Sequence, residues 1–257
     1  VENGKRIPGL IVAESGLEGV FLAGGLGTRI RAVEAGKPKV MMDVGGRPFL
    51  EILLKHAMDR GLRRAILATG YKHECIESHF GNRFQDVEIL YSRESRPLGT
   101  GGAAWKALKI ALQEDVFVFN GDSFFDLDLA EFYAFHKSIG ADASMALKPM
   151  LDFDRYGTVQ AEGGRITGFR EKQREARGLI NGGIYLLNRS RIAALPMPET
   201  FSIERDFFER YAARIRMGAF VRDGYFIDIG VPEDYERARR EMRPTESHPA
   251  PGGASTD

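Results

Sequence analysis

From residue 19 to 125 the chain repeats one unit. A short apolar run ends in glycine or an acidic loop, and a segment with apolar residues at helical spacing follows. GVFLAGG opens the series, and PFLEILLKHAMDRG places Phe49, Leu50, Leu53, Leu54 and Ala57 on one helical face. RRAILATG, a short helix over 72–80, VEILYS, GTGGAAWKALKIALQ and DVFVFNGDSFF continue the alternation. Such an order predicts an α/β fold: a mixed, mainly parallel, Rossmann-like sheet with helices on both faces. After Ala141 the rhythm changes to the short strands ASMALKPM, GTVQA, RITGFREK and GGIYLLN, some joined as hairpins. These predict a small antiparallel extension beside the parallel core. A helix over 202–212, strands GAFV and YFIDIG, and a closing helix from Pro232 complete the pattern.

Residues 1–18 show no period and are expected to form a flexible leader, with a single domain over 19–243. The small, polar tail over 244–257 is expected to be disordered. The 36 basic and 36 acidic residues cancel, which removes bulk attraction to nucleic acid or to an anionic membrane. No apolar run approaches the roughly 20 residues of a membrane span. VENGKRIPGLIVAESG lacks the apolar core of a secretory signal, and the lone Cys75 forms no intrachain disulfide. The reading is a soluble, cytoplasmic protein; a homodimer is compatible with it. The stretch after the closing helix leaves no room for a β-helix or second catalytic domain, so a fused acetyltransferase or isomerase is not expected.

LAGGLGTRIR, residues 22–31, carries three glycines among residues 24–27 at the end of an apolar strand. Free backbone N–H groups there suit an anion, and Arg29 adds a planar fork for phosphate oxygens; a tight turn with a solvated arginine is the alternative. The loop is neither a Walker A motif, since no Gly-Lys-Ser/Thr closes it, nor G-x-G-x-x-G, whose last position is Ile30. HECIESH misses the His-Glu-x-x-His zinc pattern because Glu77 stands where the second histidine belongs. The stretch FYAFH reads as core.

The series L-A-G-G-x-G-T-R, then Pro38-Lys39, then a Gly-Arg-Pro helix start resembles the sugar-1-phosphate nucleotidyltransferases over residues 19–242. Many members carry proline shortly after the arginine, whereas Ile30 to Val33 here are similar to the heptose-1-phosphate guanylyltransferase branch. The resemblance implies that Leu22, Ala23, Gly24, Gly25, Gly27 and Thr28 cradle the nucleotide. It further implies that Arg29 and Lys39 hold the triphosphate and stabilise departing pyrophosphate. Its substrates would be GTP and D-glycero-α-D-manno-heptose 1-phosphate, its product GDP-heptose for surface polysaccharide. Mannose 1-phosphate, UTP or dTTP remain alternatives, as does a non-catalytic nucleotide-sugar-binding paralogue.

Asp122 stands at the carboxyl end of a hydrophobic strand, where ligands gather in open α/β sheets. It is a candidate Mg²⁺ ligand or a turn cap, and the resemblance favours the metal. Asp228, in YFIDIG, is the second metal candidate; Asp126 and Asp128 are expected to cap a helix or face solvent. In RESRPLGTGGAA the family's base-reading segment implies backbone contacts at Gly99 and Thr100 and a side chain at Glu94. A carboxylate accepts only, and guanine offers the adjacent donors N1–H and N2–H₂, so Glu94 favours guanine if it faces the base. It is otherwise an exposed loop residue. GFREKQ and INGGIYLL resemble the sugar-phosphate elements, implying Lys172 on the incoming phosphate and Glu171, Asn181, Gly182 and Gly157 around the sugar. The nucleophile, a phosphate with a second pKa of about 6, is largely ionised at neutral pH. The reaction then needs positioning and charge neutralisation by Mg²⁺, Arg29, Lys39 and Lys172 rather than a general base.

Overall fold

The computed structural model describes residues 16–25 and 36–242. Gly27, Thr28, Arg29, the Ile30–Val33 variant, most of the expected leader and the tail lie outside the described residues. The elements run β1 (Leu17–Ala23), a 3₁₀ turn (Lys39–Met41), β2 (Asp43–Val44), β3 (Arg47–Pro48), α1 (Phe49–Asp59), β4 (Leu62–Thr69), α2 (His73–Phe80), β5 (Arg83–Phe84) and β6 (Val87–Arg93). There follow α3 (Gly99–Leu108), β7 (Asp115–Asn120), β8 (Ser123–Phe125), α4 (Leu129–Ser138), β9 (Ala143–Phe153), β10 (Thr158–Glu162), β11 (Arg165–Arg170) and β12 (Glu175–Asn188). The chain continues through α5 (Arg189–Ala193), a π-helical turn (Ile203–Glu209), β13 (Met217–Val221), β14 (Phe226–Asp228) and α6 (Pro232–Glu241).

Ten strands form one sheet in the order β10-β11-β13-β9-β12-β7-β1-β4-β6-β5. β7, β1, β4 and β6 are parallel, and β12 adds antiparallel to β7. The expected antiparallel extension is therefore part of the second half of the same sheet, where β13 is inserted beside β9 and runs parallel to it. Alternation along the strands splits the core into two layers. Phe21, Leu67, Phe117 and Phe119 pack with α1, α2, α4 and α6 on one face, whereas Val20, Ile66, Val116 and Val118 pack with α3 and the π-helical turn on the other. Phe21 stacks on Phe119 with ring centroids 4.5 Å apart. Phe132, in FYAFH, stacks on Phe220 inside the first layer, as a core reading requires.

Two boundaries differ from expectation. β1 begins at Leu17, so Leu17 and Glu18 belong to the sheet rather than to a leader. Glu18 is buried because its Oε2 accepts the backbone N–H groups of Leu112 (2.8 Å) and Gln113 (2.7 Å), partners no local pattern announces. DVFVFNGDSFF is two strands, not one. At Gly121 the chain crosses the end of β1 so closely that a side chain would strike the Leu22 carbonyl. β8 then leaves the main sheet and pairs antiparallel with β14.

This break matters for position. The carboxyl ends of β1, β4, β6 and β7 lie side by side, with Leu22 paired to Asn120, Ala23 to Thr69 and Thr69 to Arg93. The loops leaving that edge build a cleft.

Candidate active site

The cleft has a volume of about 740 Å³. Its floor is the end of β1, with Leu22, Gly24 and Gly25; Lys39 and Asp122 line one side, and Glu94, Gly99 and Thr100 the other. Eight of the residues singled out in the sequence thus share one hollow. Ala23 is buried just behind them.

Lys39 is presented by the 3₁₀ turn that starts after Pro38, whose extended backbone sets the approach. Its ammonium donates to Asp122 Oδ2 at 2.6 Å. Pairing of Asp228 with Ser123 brings the second aspartate beside the first, and the Ile229 N–H donates to the Asp122 carbonyl at 2.8 Å. Asp228 Oδ1 accepts the Gly230 N–H at 2.7 Å. Burial, and then the charge of Asp122, push the Asp228 carboxyl above the usual carboxylate range, with Lys39 and the Gly230 N–H opposing. Two crowded carboxylates at a strand-end cleft are a donor set that a hard divalent cation relieves, and magnesium takes few protein ligands because phosphates and water supply the rest. The pair therefore fits such an ion. No group of three or more His, Cys, Asp or Glu poised for a metal occurs among the described residues.

Across the cleft, the Glu94 N–H donates to the Thr69 carbonyl at 2.7 Å, which fixes the loop after β6 to the end of β4. Glu94 Oε2 accepts the Leu98 N–H at 2.9 Å, and the carboxylate packs against Gly24. It is half-buried, and that burial pushes its carboxyl up while the Leu98 N–H and Lys106 pull it down. Gly99 opens α3 at φ +72°, where a side chain is strained and its Cβ would lie 2.5 Å from the Phe201 carbonyl oxygen. That close approach seats α3 on the segment leading to the π-helical turn.

A polar network that the sequence reading missed joins the two halves of the sheet. Tyr185, fully buried on β12, accepts from Asn181 Nδ2 (2.8 Å) and Asn120 Nδ2 (3.3 Å) and donates to Glu204 Oε1 at 3.4 Å. Burial and the Glu204 charge hold its phenol well above 10. Glu204 Oε2 also accepts from Thr100 Oγ1 (3.0 Å) and Ser202 Oγ (2.8 Å), and Glu204 and Asn120 both line the cleft. Asn120 was within reach of the strand-end argument that found Asp122. Glu204 was not, because apart from the neighbouring Ser202 its partners come from two distant segments, α3 and β12.

The sugar-side residues are more dispersed. Asn181 faces the network, its Oδ1 accepting the Gly183 N–H at 2.9 Å. Gly182 is buried beneath the Phe125 ring, and Gly157 packs against the Arg170 carbonyl. Glu171 and Lys172 are exposed in the connection from β11 to β12. Glu171 lies within electrostatic reach of Glu209, whose carboxyl is raised chiefly by burial. Elsewhere, Asp128 caps α4 by accepting from the Ala130 and Glu131 N–H groups, and Asp126 pairs with Arg60 at 2.6 Å on the surface. His73 pairs with Glu77 at 3.2 Å and His79 with Glu51 at 3.0 Å, as a polar helix face does.

Residues 18–244 match a family model described as nucleotidyl transferase. The chain belongs to this family. Within it, the chain is 43% identical over 227 residues to the D-glycero-alpha-D-manno-heptose 1-phosphate guanylyltransferase of Aneurinibacillus thermoaerophilus, covering 88% of this chain and 99% of the relative. The protein of the same name from Campylobacter jejuni is 42% identical over 220 residues, covering 85% and 97%. Among solved structures, HddC from Yersinia pseudotuberculosis superposes with a TM-score of 0.79 at 35% identity, covering 88% of this chain and all of that one. A second HddC structure, complexed with GMP-PN, gives a TM-score of 0.78. Among the described residues, no helix is long and apolar enough to cross a membrane.

Proposed function

We propose that the chain transfers GMP from GTP to D-glycero-α-D-manno-heptose 1-phosphate, with Mg²⁺, and releases pyrophosphate. The observation that carries the chemistry is the Lys39–Asp122–Asp228 cluster at the strand-end edge of the cleft. The choice of base and sugar is supported by the 43% identity to a heptose guanylyltransferase over nearly that protein's whole length.

In this reading a phosphate oxygen of the sugar 1-phosphate forms a bond to the α-phosphorus of GTP. The bond from that phosphorus to the bridging oxygen breaks, and pyrophosphate leaves with the electron pair. Asp122 and Asp228 would hold the ion, which when bound supplies charge neutralisation on the phosphates. Lys39 exchanges its bond to Asp122 for the triphosphate and stabilises the charge that develops on the leaving group. Arg29, with Gly27 and Thr28, is assigned to the same phosphates. Glu94 accepts from guanine N1–H and N2–H₂. Each carboxylate oxygen has two lone pairs, so the bond from Leu98 N–H orients the group without exhausting it. Gly99 and Thr100 line the base side. Lys172 takes the incoming sugar's phosphate, and Glu171, Asn181, Gly182 and Gly157 face its hydroxyls.

The test is pyrophosphate release from each nucleoside triphosphate paired with heptose or mannose 1-phosphate in the presence of Mg²⁺. GTP with the heptose substrate is expected to lead every other pair by at least about tenfold in kcat/KM, roughly one well-placed hydrogen bond of discrimination. No release with any pair would overturn the enzymatic reading. A preference for a pyrimidine nucleotide would overturn the role of Glu94.

A further inference from the structure

A second hollow, of about 490 Å³, lies at the opposite edge of the sheet, where β9 and β13 begin and β12 ends. Three segments bring four arginines to it: Arg165 at the start of β11, Arg191 in α5, and Arg214 and Arg216 just before β13. Asp142 is the single carboxylate in its lining, and it is already engaged. Its Oδ1 accepts from Arg191 Nη1 at 3.2 Å and its Oδ2 from the Arg216 backbone N–H at 2.8 Å.

The arginines divide into two kinds. Arg191 Nη1 also donates to the Gly140 carbonyl at 2.8 Å, and Arg216 Nη1 donates to the Ile139 carbonyl at 3.0 Å, so these two are anchored. Arg165 and Arg214 are exposed, and their guanidinium groups have no hydrogen-bond or carboxylate partner among the described residues; that of Arg214 sits 5.9 Å from the Tyr211 ring centroid. Four like charges around one carboxylate repel one another in the free protein. Planar guanidinium forks facing a common space are complementary to tetrahedral oxyanions.

We infer that this hollow is a second anion site, which takes a small phosphoryl group: free phosphate or pyrophosphate, or the phosphate of a sugar phosphate. No aromatic ring lines it, and its lining offers guanidinium donors for phosphoryl oxygens. The inference does not rest on the reaction proposed for the cleft. Asp142 ties the site to the sheet interior: its carbonyl accepts the Asn188 N–H at 2.9 Å, and Asn188 Nδ2 donates to Asp115 Oδ1 at 2.7 Å. Asp115 begins β7, whose other end is Asn120 in the cleft, about 17 Å away at the rise of an extended strand.

Calorimetric titration of the full chain with inorganic phosphate, pyrophosphate, mannose 1-phosphate and guanosine, at ionic strength held constant with KCl, tests the site. The wild-type protein and the double variant Arg165→Ala/Arg214→Ala are compared, with GTP binding as the check that the cleft and the fold are intact. The expected result is loss of one class of phosphoryl binding by at least tenfold in the double variant, with GTP affinity unchanged. Tighter binding of inorganic phosphate and pyrophosphate identifies the free anion as ligand; tighter binding of mannose 1-phosphate identifies the ester. Equal phosphoryl affinities in the two proteins, or guanosine binding lost in the variant, would overturn the inference.

Discussion

At the scale of single residues, the cleft concentrates its chemistry in side chains that already have partners. Lys39 is bonded to Asp122, and Glu94 to the Leu98 N–H. If Lys39 acts on the leaving phosphates as proposed, its replacement by methionine is expected to lower kcat by about 10²–10³-fold, read as pyrophosphate release. Glu94→Gln replaces one acceptor oxygen by a donor. In that variant kcat/KM for GTP should fall by about 10–100-fold, the worth of a hydrogen bond to a charged group. Discrimination against inosine triphosphate, which lacks the exocyclic amino group, should fall with it. Unchanged discrimination would remove Glu94 from base reading. Asp122 was legible in the sequence because it follows a buried strand whose end the sheet edge fixes, whereas Lys39 and Glu94 were reached through the resemblance carried by Pro38-Lys39 and by RESRPLGTGGAA. Tyr185 and Glu204 were not. An apolar strand containing a tyrosine says nothing of the Asn120 amide and the Glu204 carboxylate that join Asn181 of the same strand at its hydroxyl from other segments.

At the scale of elements, α1 is held against β8 through an imidazole. The His56 ring lies edge-on to Phe124 with centroids 4.6 Å apart, and burial pushes its pKa down to about 4. Asp126 Oδ1 is 4.0 Å away, too far to compensate. The folded protein therefore keeps His56 neutral at a pH where the unfolded chain, with an ordinary value near 6.5, binds a proton. That stabilisation is complete above about pH 6.5 and disappears as the pH falls to about 4. Its size is about 3 kcal/mol. Unfolding midpoints measured across that range should fall more steeply for the wild-type protein than for His56→Phe; parallel curves would contradict it. The order of strands and helices was legible because buried runs and helical periodicity are local signals. The β7–β8 break was not, because what forbids a side chain at Gly121 is the Leu22 carbonyl, supplied by the first strand.

At the scale of the whole molecule, one sheet crosses the boundary that the change of sequence rhythm suggested. β12 pairs with β7 of the parallel half along Asp115–Phe119 and with β9 along nearly its whole length. Asp115 is buried where the halves meet, and it accepts from Lys137 (2.6 Å) and Asn188 (2.7 Å) and lies 3.3 Å from His136 Nε2. A unit stitched in this way has no internal plane along which to separate, so calorimetry should record a single unfolding transition. Two resolved transitions would show that the antiparallel half folds on its own. The antiparallel pattern was visible in the sequence, but not the register that fuses it to the parallel strands.

The bond between Lys39 and Asp122 has a bearing on the order in which the cleft fills. In its resting state the protein supplies its own counter-ion: the ammonium answers one aspartate and eases the other. A triphosphate competes for that ammonium with several negative charges. If Lys39 turns to it, Asp122 loses its ammonium beside Asp228, which keeps only the Gly230 N–H. In the proposed reaction the nucleotide would thereby free Asp122 and Asp228 for a cation, so that loading the cleft and charging it would become one event.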